Sequence, residues 1–406
     1  MTMPLSGVRI LDLGRTFAAP ICTQMLADLG AEVLKVERLG RGDELRYYGP
    51  PFTQDEHGRD EPVSAYFLSA NRNKKSLALD FTTAEGQAVI RDLASKSDIC
   101  VENYKVGDLV RYGLDYASLS AVNPALIYCS ITGFGQTGPY AKRPATDSVF
   151  QSMSGLMSVT GEPDGPPQKV GLVITDYITG LTAAIAIQAA LRHREVNGGG
   201  GQHIDMALLD ATVAAMSHRA VEHLMDGSIP QRMGTRTPGS APAQTYACAD
   251  GEINFQASAE PKFKVLCDLL GCPELVSDPR FATRADRVRN IDDLQVALEE
   301  KTKSWKSRDL YEALIAVGII CSPVYTMDQT FTDPQIQHRE LAKRVPTPDG
   351  RSVPMVRNPI RFSRSPIERY DPPPAAIGQD DDMILRGVLG YDDTRITALR
   401  AAGAIG

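Results

Sequence analysis

The stretch Val8-Arg-Ile-Leu-Asp-Leu13, followed by Gly14, a run from Ala18 to Leu29, Gly30, and then Ala31-Glu-Val-Leu-Lys-Val36, decides the fold. The first and last pieces are short, apolar and partly β-branched; the middle one has the length of a helix, with Gly30 placed to end it. Two strands joined by one helix pair in parallel through a crossover. The alternation continues downstream. Leu77 to Leu79 reads as a strand, Thr83 to Ser95 as a helix capped by Thr83, and Asp98 to Val101 as a strand. Leu109 to Tyr112 reads as a helical turn and Leu126 to Ile131 as another strand. Strands alternating with helices predict an α/β fold built on a Rossmann-like parallel sheet covered on both faces. Ligands in such folds bind beyond the carboxyl ends of the strands. Those ends carry Leu13-Gly14-Arg15-Thr16, Glu37-Arg38, Glu102-Asn103-Tyr104-Lys105 and Thr132-Gly133-Phe134-Gly135.

Beyond this region the pattern changes. Gly198 to Gly201 breaks a helix, His203 to Met206 has strand character, and Ala207 to Met225 reads as one long helix. A hairpin pattern around Ala249-Asp250-Gly251, helices from Lys262 to Leu270 and from Ile291 to Trp305, and the segment Gly318 to Val324 describe a smaller α/β unit. The expected organisation is a large domain over 1–197, completed by 380–406, and a linker helix over 198–225. A small α/β domain over 226–330 and a proline-rich linker over 331–379 complete the chain. Pro372-Pro373-Pro374 makes that linker a rigid spacer without periodic structure, suited to crossing between domains or subunits.

The 406 residues carry 43 basic and 50 acidic side chains, a net charge of −7, which removes any global electrostatic case for nucleic acid. Gly14 stands alone where a dinucleotide fingerprint needs three glycines, so a nicotinamide enzyme is not expected. Seven cysteines are scattered without a CxxC pair, and the six histidines show no zinc-ligand spacing; reduced thiols and no metal are expected. The N-terminal residues lack the basic and apolar regions of a signal peptide, and the apolar run after Asp176 is short for a membrane span. The expectation is a cytoplasmic protein without a membrane partner.

Asp176 is the conspicuous residue. It lies between a β-like run, Val170 to Ile174, and the fifteen uncharged residues Tyr177 to Leu191, and nothing nearby in sequence neutralises it. One reading makes it the N-cap of a helix starting at Tyr177, accepting the N–H of Ile178 or Thr179. The other makes it a reactive carboxylate, since a buried, unpaired one is costly. Three groups of basic residues and amides also lie near strand ends: Arg15 with Arg38, Asn71-Arg72-Asn73-Lys74-Lys75, and Asn103 with Lys105 and Arg111. Singly these read as solvated surface groups; together they suit a large anion ending in phosphate.

Motifs spread along the chain carry a resemblance. They include Leu5-Ser-Gly-Val-Arg-Ile-Leu-Asp-Leu13, Leu29-Gly-Ala-Glu-Val-Leu-Lys-Val-Glu-Arg38, Gly42-Asp43 with Arg46, and Asn71-Arg-Asn-Lys-Lys-Ser76. Val101-Glu102-Asn103-Tyr104, Ser130-Ile-Thr-Gly-Phe-Gly-Gln-Thr-Gly-Pro139, Asp333-Pro334-Gln335 and Leu389-Gly390-Tyr391 extend it. The sequence resembles the family III CoA-transferases, the formyl-CoA and carnitine CoA-transferase group, from end to end. The resemblance implies that Asp176 is a nucleophile forming a mixed anhydride with the donor acyl group and then an aspartyl-CoA thioester. It implies CoA contacts at Phe17, Ala18, Arg38, Leu79, Asn103, Tyr104, Lys105 and Arg111, with the CoA thioester a substrate and no permanently bound cofactor. It also implies an interlocked homodimer. The helix start is expected to keep Asp176 ionised at neutral pH and to offer N–H groups to oxyanions.

Formyl-CoA transferases carry Gln where Phe17 stands, and their glycine-rich loop has no counterpart between Thr245 and Lys262. The sequence is most similar to the branch acting on succinyl-CoA and glutarate-like dicarboxylates, through Ile127-Tyr128-Cys129, Ser217-His218 and Gly378-Gln379. A dicarboxylate needs a cation for its second carboxylate, and Arg46, Arg232 and Arg236 are the candidates. Two alternatives remain. An α-methylacyl-CoA racemase-like enzyme would need the His-Asp pair that falls at Thr146-Asp147, where threonine cannot serve as a base. A non-catalytic acyl-CoA-binding protein would tolerate loss of Asp176.

Overall fold

A computed structural model describes residues 2–406. The chain forms two compact units. The first comprises Met1–Leu156, Lys169–Ser228 and Gln337–Gly406, and the second Met157–Gln168 and Ile229–Ile336.

The first unit is built on β1 (Arg9–Asp12), β2 (Glu32–Arg38), a small hairpin of β3 (Phe52–Gln54) and β4 (Asp60–Ser64), β5 (Lys74–Leu79), β6 (Ile99–Glu102), β7 (Ile127–Thr132) and β8 (His203–Ala207). Six of these make one parallel sheet in the order β5-β2-β1-β6-β7-β8. Strand side chains alternate between two cores. Leu11, Leu34 and Leu77 point to one face, and Ile10, Val33 and Ile99 to the other.

The helices are α1 (Ala18–Asp28), α2 (Ala65–Ala70), α3 (Ala84–Ser95), α4 (Tyr116–Val122), α5 (Asp147–Met153), α6 (Ile174–Val196), α7 (Leu208–Ala215) and α8 (Ser217–Asp226). Helices α1 and α6 cover one face of the sheet, while α3 and α4 lie on the other. Thr83 caps α3 as its sequence suggested, its side chain accepting the Gly86 N–H. The helix expected from Ala207 to Met225 is two helices. Ser217 sits at φ 48°, in the left-handed region, which breaks the helical hydrogen-bond series between α7 and α8. No glycine or proline announces that break.

The second unit carries a three-stranded sheet of β9 (Ala243–Ala247), β10 (Glu252–Gln256) and β11 (Ile320–Pro323), ordered β11-β10-β9 and antiparallel throughout. Helices α9 (Glu260–Leu270), α10 (Arg284–Arg289), α11 (Ile291–Thr302) and α12 (Ser307–Ala316) accompany it, and Phe255, Phe263, Leu294 and Leu314 share its core.

The segment expected to lack structure, 331–379, contains an antiparallel hairpin of β12 (Ala342–Pro346) and β13 (Ser352–Val356). Beyond β13 the chain returns to the large sheet and protects its edge. The Ser76 and Ala78 N–H groups on edge strand β5 donate to the Asp380 and Asp381 carboxylates, both at 2.8 Å. An edge whose donors are already satisfied does not recruit a foreign strand. The final helix, Asp393–Ala401, adds Ile396 and Leu399 to the core shared with α3 and α4.

Candidate active site

The run from Val170 to Ile174 is not a strand, and Asp176 is not an N-cap. Helix α6 starts at Ile174, so Asp176 lies in its first turn, and Val173 at the cap position offers no side-chain acceptor. The acceptor comes from elsewhere. Asp147, the first residue of α5, takes the Thr175 N–H at 3.0 Å and the Thr175 hydroxyl at 2.9 Å on one oxygen. Its other oxygen takes the Gln151 amide at 2.7 Å. A remote side chain therefore caps the helix and frees the Asp176 carboxylate for other contacts.

The backbone N–H groups of Ala18 and of Asp176 itself lie close enough to the Asp176 carboxylate to favour its charged form. Ala18 opens α1, whose cap residue Phe17 supplies no side-chain acceptor, so its N–H has no partner within α1. The two helix starts can meet because Gly180 lets α6 approach α1. A Cβ at Gly180 would lie 2.7 Å from the Ala18 carbonyl oxygen and 2.9 Å from Ile21 Cγ2. Burial, and secondarily the neighbouring Asp147 carboxylate, push Asp176 up to about 7 against the pull of these two N–H groups. The expectation that the helix start keeps Asp176 ionised at neutral pH is thus qualified: burial works against it.

Asp176 opens into a cavity of about 400 Å³ that is also lined by Phe17, Ala18, Asn103, Tyr104 and Lys105. The lining loops are held firmly. Asn103 accepts the Arg15 N–H at 3.0 Å and donates to the Arg15 carbonyl at 2.6 Å, and Thr16 is held at φ 59° with its N–H on Asp43 at 3.0 Å. Glu102 accepts the Tyr104 N–H at 2.8 Å, turning the chain after β6. A second cavity, of about 360 Å³, shares Tyr104 as a wall and contains Arg38, Leu79 and Arg111. All eight residues given by the resemblance as CoA contacts thus line two cavities with a common wall, at the carboxyl ends of the strands. Among the described residues, no group of three His, Cys, Asp or Glu side chains has metal-binding geometry.

Other candidates have different tasks. In the group Asn71 to Lys75, the first four residues are buried and belong to the scaffold. Arg72 forks onto Asp28 at 2.8 and 2.5 Å, Asn73 joins it at 2.8 Å, and Lys74 reaches Asp12 at 3.1 Å. Burial pulls Lys74 down to about 8 despite Asp12. Arg46, fully buried, forks onto Glu37 at 2.8 and 2.7 Å and donates to the carbonyls of Pro374 and Ala375. It cannot hold a substrate carboxylate. In the second unit, Arg236 pairs with Asp292 at 2.5 Å and bonds Gln295, while Arg232 donates to the Glu162 and Ser158 carbonyls. Sequence reasoning missed Tyr48, Tyr66, Lys142 and Arg143, which also line the Asp176 cavity. Lys142 and Arg143 follow the Ser130–Pro139 motif after Tyr140 and Ala141, the one signal that pointed to them.

A parallel-sheet fold with a carboxylate in the first turn of a helix, lining a cavity of about 400 Å³, suits an enzyme that carries an acyl group on that carboxylate. The chain belongs to CoA-transferase family III, whose model matches residues 5–381, and it is a CoA-transferase. It is 41% identical to the succinate–glutarate CoA-transferase of Agrobacterium fabrum, over 94% of this chain and 95% of that protein. It is 38% identical to the succinyl-CoA:glutarate CoA-transferase of Homo sapiens, over 99% of this chain and 90% of that one. Its structure is similar to that of a CAIB/BAIF family protein from Brucella suis, with a TM-score of 0.88 and 43% identity, covering 96% of this chain and all of the other.

Proposed function

We propose that this transferase moves CoA from succinyl-CoA to a dicarboxylic acid of the glutarate class, with Asp176 as the covalent carrier. The placement of Asp176 carries the reading: it stands in the first turn of α6 and lines, with Ala18 at the start of α1, the cavity formed by Phe17, Asn103, Tyr104 and Lys105. The names of the Agrobacterium fabrum and Homo sapiens relatives support the choice of acids.

In the first step an Asp176 oxygen attacks the thioester carbonyl, the C–S bond breaks, and CoA leaves as thiolate, giving a mixed anhydride. The thiolate then attacks the aspartyl carbonyl and expels the donor acid as its carboxylate. The acceptor carboxylate attacks the resulting aspartyl-CoA thioester, releasing thiolate again. Thiolate attack on the acceptor's carbonyl completes transfer and restores Asp176. Donor N–H groups at the start of α1 suit the oxyanions of these steps. The burial that raises the Asp176 pKa also favours the carrier role. A buried carboxylate near Asp147 bears an electrostatic cost on the order of a few kcal/mol, and acylation removes that charge.

Racemisation is disfavoured by Thr146, and Asp147 is engaged in capping α6. We also infer an interlocked homodimer, supported by the long proline-rich return of the chain; a stable monomer in sedimentation would overturn it. The transfer reading is tested by mass spectrometry after incubation with succinyl-CoA, with and without hydroxylamine. A hydroxamate mapping to Asp176 and missing from Asp176→Ala is expected. No adduct with any CoA ester would refute the nucleophile.

A further inference from the structure

A dicarboxylate must be recognised at its far end, and Arg46, Arg232 and Arg236 are all engaged within the protein. The Asp176 cavity contains three other cations, Lys105, Lys142 and Arg143. Among the described residues, no carboxylate lies within ion-pair distance of any of them, although such pairs hold Arg15 and Arg194 in the same unit. Lys105 belongs with the CoA contacts, leaving Lys142 and Arg143 without a role.

Arg143 is held by an aromatic ladder. Its guanidinium lies 3.8 Å from the centre of the Tyr140 ring, Tyr140 meets Phe134 edge-on at 5.6 Å, and Phe134 meets Phe150 at 5.3 Å. Phe150 is 1% exposed and is part of the core beneath α1 and α6. The Arg143 N–H closes the turn onto the Tyr140 carbonyl at 2.8 Å, bringing ring and cation together. A guanidinium lying over a ring has one face engaged and its N–H edge left for other partners, the fork that matches a carboxylate. The cavity also presents Phe17, Leu45, Tyr48 and Tyr66, apolar and aromatic surface suited to the methylene chain between two carboxylates.

We propose that Arg143, with Lys142 beside it, holds the free carboxylate of the acid whose other carboxyl is joined to Asp176, an assignment that rests on the dicarboxylate reading above. One clamp serves both half-reactions, because succinyl-CoA and the acceptor diacid each present a free carboxylate. Arg143 therefore sets specificity and takes no part in bond making.

The test compares kcat/KM for succinyl-CoA with that for butyryl-CoA, which has the same four carbons and no second carboxylate. It uses the full chain and its Arg143→Ala and Arg143→Lys variants. The wild type is expected to favour succinyl-CoA. Arg143→Ala should reduce that preference tenfold or more, mainly through KM, and Arg143→Lys should fall between, keeping charge without the fork. Turnover of butyryl-CoA reports whether each variant is folded. A wild type indifferent to the second carboxylate refutes the dicarboxylate reading itself. A preference that survives in Arg143→Ala refutes the clamp and leaves that reading standing. Equal losses on both donors would assign Arg143 to CoA and overturn the proposal.

Discussion

Replacing Asp147 with asparagine separates its two effects on the nucleophile. The amide in Asp147→Asn would retain a carbonyl oxygen to accept the Thr175 N–H and hydroxyl, now at 3.0 and 2.9 Å, which keeps the start of α6, while its NH2 group loses the 2.7 Å bond from the Gln151 amide. It removes the like charge that, after burial, raises Asp176 to about 7. A like charge sharing a site is worth on the order of one pK unit, about 1.4 kcal/mol. The midpoint should therefore fall from about 7 toward ~6, while burial still holds it above the ordinary aspartate range. Well below both midpoints, the ionised fraction of Asp176, and with it the rate of attack on the thioester, should rise roughly tenfold. The gain should vanish at high pH, where Asp176 is ionised in both proteins. Rapid-quench measurement of succinyl-CoA consumed in a single turnover, as kcat/KM from pH 5 to 9, reads the free-enzyme midpoint directly. An unchanged or raised midpoint would show that Asp147 does not set the ionisation of Asp176.

Gly180→Val should be destabilising, by about 1–3 kcal/mol, because its Cβ must displace the Ala18 carbonyl 2.7 Å away. Thermal melting should record that cost, and acylation by the folded fraction should also fall as the Ala18 N–H moves away from Asp176. Arg46→Ala should cost about 3–5 kcal/mol in urea unfolding, since it strands a buried Glu37, and should leave the preference for diacids intact in whatever protein remains folded. Burial pushes Glu37 upward, but Arg46 and then Lys35 overcome it and hold Glu37 down to about 2. The stability Glu37 contributes is fully present above the ordinary glutamate range and is lost as pH falls toward 2, so the acid limb of a stability–pH curve should flatten in this variant.

The sheet was legible because its signals are local. Val8 to Leu13 and Ala31 to Val36 declare themselves within a few residues, and so does Thr83 as a cap. The clustering of the eight residues given as CoA contacts was legible, through motifs that come together at strand ends. What escaped depends on partners distant in sequence. The acceptor that caps α6 is 28 residues before Thr175, so Asp176 looked like the cap. Lys74 and Arg72 looked like surface charges because Asp12 and Asp28, which bury them, stand 62 and 44 residues away. Arg46 had its partner nine residues upstream, but a charged pair at that spacing does not declare its burial. Arg143 escaped for the opposite reason: its value lies in having a ring beneath it and no acid beside it.

The return of the chain to edge strand β5 has a consequence for biosynthesis. The strands of the large sheet emerge from the ribosome by residue 207, yet Asp380 and Asp381, which occupy the β5 edge, are made about 170 residues later. The Asp80 N–H waits longer still for the Ala404 carbonyl, 2.8 Å away in the finished protein. Throughout that interval the nascent sheet exposes an open edge and one core still short of Ile384, Ile396 and Leu399, while the 229–336 stretch of the inserted unit can organise around its own core. The unit that begins first is thus finished last, and the window for strand-edge misassociation is set by the length of the excursion before the tail arrives.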